Sequence, residues 1–325
     1  MKILVFEYIT GGGFNKQALP DSLAGEGDLM LNALLNNLAG LNNIEVTVMR
    51  DRRLDILTKV NTVIIGPEHD IREEFARLVK QSDLVWPIAP EFDDILQTLC
   101  QTVESLGKVL LTSPAAAVAI AGNKFKTYEQ LNRYHITAVP TLMFDNTYSP
   151  GEWIVKPIDG VGCADSYVMS SQQDFDRIEP LKGGYVIQPH LQGAKTSLSC
   201  LFKQGQGWLV CANLQRFEFI NRQYHLAEIV VNHHPDLGLY QSVIDKIALA
   251  LPELWGYVGI DLIENDRLWV LEINPRLTTS FVGIYQALGI NIAEAVLQLL
   301  HGEPMLNPTC NNAITVQTKQ ELHAS

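Results

Sequence analysis

The chain reads as an α/β lobe followed by an α+β region, and three observations predict this. Strand-like and helix-like segments alternate through residues 1–112, antiparallel strand patterns crowd the second half, and the segment Tyr257 to Ser280 gathers oxygen-bearing side chains on one strand face.

In the first lobe, Ile3 to Ile9 is a strand leading into Gly11, Gly12 and Gly13, and Ser22 to Leu41 is helical. Strands follow at Glu45 to Met49, Thr62 to Ile65 and Leu84 to Pro87, helices at Ile71 to Gln81 and Phe92 to Leu106, and Val109 to Leu111 closes the set. That rhythm is a parallel, doubly wound, Rossmann-like lobe. Ser113 and Pro114 start a short helix that Gly122 stops. Asn123 then caps a helix from Lys124 to about Tyr134. Strand-like segments accumulate after it at Thr141 to Phe144, Trp153 to Lys156, Ser166 to Met169 and Tyr185 to Gln188. Gly193 marks another junction, beyond which Ser197 to Lys203, Gly207 to Phe217 and His225 to Val231 suggest an antiparallel sheet. A helix at Leu239 to Leu251, the hairpin and a final helix opened by Asn291 and Glu294 complete the chain. The expected divisions are residues 1–112, 113–190 and 191–325.

Composition narrows the function. With 325 residues, 47% hydrophobic and 18% charged, the chain is an ordinary globular one with room for several lobes. A net charge of -12 argues against a general nucleic-acid or anionic-membrane surface, so an anionic ligand has to meet locally clustered Lys and Arg. Five cysteines, Cys100, Cys163, Cys200, Cys211 and Cys310, are widely spaced without a CxxC pair, which suggests neither a disulfide framework nor a zinc site and points to the cytoplasm. The N-terminal MKILVFEYI is interrupted by Glu7 and reads as a strand rather than a signal segment, and the apolar run Val109 to Ala121 is too short to cross a bilayer.

The hairpin carries the strongest chemical signal. Its halves, YVGIDLI and LWVLEIN, alternate at the strand period. With Asn265 and Asp266 as the loop, Asp261 lies opposite Val270, while Asp261, Glu272 and Asn274 share one face and Ile260, Leu262, Trp269, Leu271 and Ile273 the other. Two carboxylates and an amide, followed by Pro275 and Arg276, suit a hard divalent cation bridging anionic oxygens with a guanidinium beside it. An edge hairpin with a solvated face is the plainer alternative. Upstream, Trp153 to Pro157 is a short strand ending in Lys156, followed by the loop Asp159 to Asp165 with Gly160 and Gly162, whose backbone amides could approach phosphates. Alone, this is equally an ordinary strand-to-turn transition. Lys124 opens a helix whose dipole favours an anion, or is simply a surface lysine. Tyr185 to Gly193 resembles a crossing between lobes, where Gln188 and Leu191 could meet an adenine, or a linker.

Taken in order, Lys124, Lys156 with its glycine loop, Gln188, Asp261 and Glu272-x-Asn274-x-Arg276 resemble the ATP-grasp superfamily over essentially the whole chain. GIDLIENDRLWVLEINPRLTTSF is similar to the metal-binding end of its carboxylate–amine ligase branch. The resemblance implies a pre-ATP-grasp lobe followed by two lobes clamping ATP. It places Lys124, Lys156, Gly160 and Gly162 at the phosphates, Gln188 and Leu191 at adenine, and magnesium, or manganese in its place, on Asp261, Glu272 and Asn274. Lys156 and Arg276 would serve the transferred group. Asn123, Gln188 and Lys195 stand where relatives commonly carry acidic residues; Asn123 can still cap the helix, Gln188 can still accept from the adenine amino group, and Lys195 leaves ribose recognition open. Phe6 to Thr10, Ala89 to Glu91 and Asn213 to Arg216 further resemble tyramine–glutamate ligases of methanofuran-type cofactor biosynthesis, although Gly11 to Gly13 could be only a turn and Glu91 only a helix cap. The implied chemistry is ATP-dependent activation of a small-molecule carboxylate as an acyl phosphate and its capture by an amine. A different acceptor, such as a thiol or a phosphoryl acceptor, or a non-catalytic nucleotide-binding role, is the alternative. Neither nucleic acid nor membrane is an expected partner, and a homodimer is compatible with the sequence.

Overall fold

The computed structural model describes residues 1–145, 150–160, 165–177, 184–234 and 236–318. Its first lobe is a parallel sheet of β1 (Lys2–Glu7), β2 (Glu45–Asp51), β3 (Asn61–Ile65), β4 (Leu84–Ile88) and β5 (Val109–Leu110), in the order β3-β2-β1-β4-β5. Every residue of β4, and every residue of β1 after Lys2, is buried, as strands covered on both faces require. The order reverses at β1, so the carboxyl ends of β1 and β4 flank the switch point where such sheets place ligands.

Helices α1 (Asp21–Ala39), α2 (Ile71–Gln81) and α3 (Ile95–Ser105) surround this sheet. The bounds of α2 match those expected, and Asp70 fixes its start by accepting the Arg72 and Glu73 N–H groups. By contrast α3 begins later than Phe92. Asp93 and Asp94 lie at φ 54° and 55°, in the left-handed region, where a right-handed helix cannot continue. The glycines after β1 form a defined π-type turn, Ile9–Gly13. Gly12 has φ 100°, and a Cβ there would stand 2.5 Å from Ile65 Cγ2.

Two short helices follow, α4 (Ala115–Ala121) and α5 (Lys124–Arg133). Glu104 accepts the Ala115 N–H at 3.0 Å, Gly122 ends α4, and the Asn123 side chain accepts the Lys126 N–H, as its capping role requires. A small antiparallel sheet comes next, ordered β6-β9-β7-β8, from β6 (Leu142–Met143), β7 (Trp153–Pro157), β8 (Tyr167–Met169) and β9 (Tyr185–Pro189), with α6 (Gln172–Arg177) beside it. Val155, Met169, Phe175 and Ile187 make its core.

The remainder is an antiparallel sheet ordered β14-β13-β10-β11-β12-β15, built from β10 (Ala194–Lys203), β11 (Gln206–Ile220), β12 (Gln223–Val231), β13 (Gly256–Glu264), β14 (Leu268–Asn274) and β15 (Ile314–Gln317). Its helices are α7 (Gly238–Ala250), α8 (Phe281–Leu288) and α9 (Ile292–Gln298). One face packs against α4, α5 and α7, through Leu198, Ile260 and Val270 against Ala117, Leu131 and Ile244. The other face shares a core with the first lobe, in which Leu31 and Leu34 of α1 join Leu201, Tyr257, Ile284 and Val296. This shared core holds the carboxyl ends of β1 and β4 against the segment that follows β14. No single helix among the described residues is long and apolar enough to cross a membrane.

Candidate functional site

The β13–β14 ladder pairs Gly259 with Asn274, Ile260 with Ile273 and Asp261 with Glu272. A bulge then shifts the register, so that Leu262 pairs with Val270 and Ile263 with Trp269. The expected opposition of Asp261 and Val270 is therefore corrected: Asp261 faces Glu272 directly. The bulge also reverses parity toward the turn. Ile260, Leu262, Val270 and Ile273 form the buried face, at 0%, 1%, 1% and 2% exposure, in place of the expected set with Trp269 and Leu271. Trp269 Nε1 instead donates to Asn265 Oδ1 at 3.1 Å.

Asn274 Nδ2 donates to Asp261 Oδ2 at 3.1 Å, which leaves the amide oxygen Oδ1 for another ligand. Gln215 Nε2 donates to Asp261 Oδ1 at 3.0 Å. Burial and the facing Glu272 push the Asp261 carboxyl well above its ordinary range. Burial would also raise Glu272, but Lys124 and Lys156 outweigh it and hold this carboxyl low. Their Nζ atoms lie 3.5 and 3.6 Å from the same oxygen, Glu272 Oε2. Among the described residues no three His, Cys, Asp or Glu side chains cluster as a self-sufficient metal cage. Two carboxylates and one amide match instead a magnesium ion that keeps water and phosphate oxygens as its other ligands.

Lys124 comes from α5 and Lys156 from the end of β7. Lys124 N donates to Ile158 O at 2.9 Å and its Nζ to Gly160 O at 2.6 Å, so the loop after β7 is tied to the start of α5. Of the N–H groups that open α5, those of Lys124 and Lys126 are engaged by Ile158 and Asn123, and the helix also brings in the Lys124 ammonium. Gly160 contributes its carbonyl, while Gly162 and Cys163 lie outside the described residues, as does most of the loop Asp159 to Asp165.

On β9, Gln188 is 1% exposed, and its Nε2 donates to Thr141 Oγ1 at 2.8 Å. Leu191, just beyond the strand, is half-buried, and its N–H donates to Pro189 O. Lys195 Nζ stands 3.6 Å from the centre of the Tyr224 ring, a cation–π contact. His190 bridges lobes structurally, with Nε2 2.9 Å from Tyr224 Oη.

Arg276 leaves β14 and reaches the first lobe, where Nε and Nη2 donate to the two oxygens of Glu91, each at 2.9 Å. Beside it Glu26 accepts from Thr279 Oγ1 at 3.2 Å; burial raises the Glu26 carboxyl against the opposing pull of Thr279 and Arg276. Arg276, two residues beyond Asn274, thus follows directly on the strand that carries Glu272 and Asn274, while the lysines reach Glu272 from α5 and β7. The sequence reading missed Thr141 and Glu26, and held Gln215 only within the Asn213 to Arg216 signature, without a place beside Asp261. Asn213 and Gln215 fall at period two and so on one face of β11, a signal that this face serves a polar site. Thr141 and Glu26 carry no comparable local pattern.

Comparison with known proteins follows this geometry. A model described as an ATP-grasp domain matches residues 121–280, and one described as a pre ATP-grasp domain matches residues 44–118. The chain is 27% identical over 286 residues to a tyramine–L-glutamate ligase of Methanocaldococcus fervens, a match that covers 87% of this chain and 89% of that protein. The crystal structure of an ATP-grasp superfamily protein from Archaeoglobus fulgidus superposes with a TM-score of 0.75 at 23% identity, covering 98% of this chain and 92% of the other. An L-amino acid ligase from Bacillus licheniformis gives 0.64 at 16%, covering 92% and 73%.

Proposed function

The chain belongs to the ATP-grasp superfamily, and from that premise we propose that it is an ATP- and magnesium-dependent carboxylate–amine ligase of the cytoplasm. The observation that carries this reading is the convergence of Lys124 and Lys156 on Glu272, opposite Asp261. Four separate elements, α5, β7, β13 and β14, bring phosphate-binding cations and metal-binding carboxylates to one point, which a simple nucleotide-binding surface does not need. Asp261, Glu272 and Asn274 would hold magnesium, whose contribution is to neutralise charge between phosphate oxygens. Gln188 and Leu191 would meet adenine, and Gly160 and Gly162 belong to the loop over the phosphates.

A carboxylate is a poor electrophile. In the proposed reaction its oxygen attacks the terminal phosphorus of ATP, ADP leaves, and the acyl phosphate carbon is attacked by an amine, which loses a proton as phosphate departs. Lys124, Lys156 and Arg276 offset charge on the group in transfer, and no side-chain nucleophile is required. Glutamate with tyramine is the pair we place first, because the relative of that name aligns over 87% of this chain.

The test is ADP release with magnesium-ATP across a panel of carboxylates paired with amines, including glutamate with tyramine, followed by mass detection of the amide. Stimulation that requires both partners is expected. Release driven by a carboxylate alone or by a thiol would point to another acceptor, and no stimulation by any pair would overturn the ligase reading.

A further inference from the structure

The Arg276 guanidinium is held from a segment 185 positions away. Its Nε and Nη2 engage Glu91 side-on, and Nη1 donates to Leu277 O at 3.1 Å. Among the described residues these bonds use three of the five N–H groups of the guanidinium, and the two that remain can meet a pair of oxygens on an anion. Glu91 is 7% exposed, and its side chain makes no capping bond to the turn that follows.

The segment presenting Glu91 is unusually constrained. Asp93 and Asp94 both adopt left-handed φ, a region that residues other than glycine enter seldom and here enter twice in succession. Gly122 leaves room for the Glu91 side chain, since a Cβ there would stand 2.9 Å from Glu91 Cγ. The Asp93 N–H donates to Asp159 Oδ2 at 3.2 Å, in the loop just after Lys156. One first-lobe segment therefore braces both the arginine on the metal side and the loop on the phosphate side.

We propose that Glu91 is a positioning residue that aims the two remaining N–H groups of Arg276 at the phosphoryl group in transfer, so that the first lobe takes part in the phosphoryl step itself. The inference rests on the ligase reading only in taking that group to be the terminal phosphoryl of ATP.

The experiment compares Glu91→Gln, Glu91→Asp, Arg276→Gln, the Glu91→Gln/Arg276→Gln double variant and Gly122→Ala. Two readouts are taken: the rate of ADP release, and the ratio of affinities for magnesium with a β,γ-imido ATP analogue and with ADP. Glu91→Gln should lower the rate about 10²-fold, the scale for a misplaced catalytic group. It should also lower the affinity ratio about tenfold while ADP affinity holds, one charge-assisted hydrogen bond's worth. Glu91→Asp should recover part of both, the double variant should be no slower than Arg276→Gln, and Gly122→Ala should show the same signature more weakly. Because the affinity ratio needs no turnover, a wild-type protein inactive with every substrate pair would count against the ligase reading alone. A Glu91→Gln protein that keeps the wild-type ratio, or losses that multiply in the double variant, would overturn the positioning role.

Discussion

Asp261 and Glu272 stand directly opposite one another on adjacent antiparallel strands, where facing side chains interact and like charges repel. Burial and their mutual repulsion raise Asp261, while Lys124 and Lys156 keep Glu272 ionised. Such a pair is held at a cost without a cation, and a divalent ion relieves it. Magnesium-ADP should therefore raise the melting temperature of the wild-type protein, by about 2.7 kcal/mol of stability at a hundredfold excess over Kd, and EDTA should cancel the gain. Glu272→Gln should show neither response and should lose about 10²–10³-fold in ADP release, the scale for removing a preorganised electrostatic group. A Glu272→Gln protein with the wild-type magnesium response would sink the metal assignment.

Lys124 and Lys156 share Glu272, and Lys124 also binds the loop after β7, through its amide to Ile158 and its ammonium to Gly160. Lys156→Met should weaken ATP binding about 10–100-fold, as loss of charge-assisted bonds to phosphate does. Lys124→Met should weaken ATP binding similarly and also speed amide hydrogen exchange around residues 158–160. Exchange there at the wild-type rate in Lys124→Met would show that the Lys124 side chain does not anchor the loop.

Gln188 is oriented by Thr141, which itself donates to Val139 O at 2.9 Å and so accepts from the amide. That arrangement turns Gln188 Oε1 into an acceptor suited to the adenine amino group and opposed to the guanine carbonyl. Gln188→Leu should reduce the preference for ATP over GTP about tenfold or more, and Thr141→Val should do so to a smaller extent. The kcat/KM ratio for the two nucleotides measures this directly, and a ratio unchanged in Gln188→Leu would remove Gln188 from adenine recognition.

What could be read along the chain was local. Ile71 to Gln81 has its cap, its period and its stop within one window, and the structure keeps those bounds. The ligand face of the hairpin was visible because Asp261, Glu272 and Asn274 alternate with apolar residues. The bulge beyond Asp261 was not, since the residue types of β14 alternate as if the strand were unbroken, while the extra residue reverses which side its first half faces. The late start of α3 depends on left-handed Asp93 and Asp94, which no helical period reveals. The Glu91–Arg276 pair joins residues 185 positions apart, so only the tertiary fold could assign Glu91 a partner other than the helix after it. Strand β15 has a single buried residue, Val316, and so too little amphipathic pattern to read.

Glu7 offers a test of the first lobe by pH. At the end of β1 it is 2% exposed and accepts from Thr10 N at 2.7 Å, Thr10 Oγ1 at 2.6 Å and Ile9 N at 3.3 Å. Burial outweighs these bonds and raises the carboxyl from 4.5 to about 7. Between those values the unfolded chain has released the proton and the folded chain still holds it, so the Glu7 contribution to stability falls as pH rises through the window and is level above it. Glu7→Gln cannot titrate and should escape that loss. Its stability relative to wild type should improve by on the order of 3 kcal/mol between pH 4.5 and pH 7.5, measured by urea unfolding at each pH. Because both proteins share every other titrating group, the difference isolates Glu7. A stability gap that stays constant across the window would show that this buried carboxylate is ionised throughout and that the turn at Ile9–Gly13 is built around a charge.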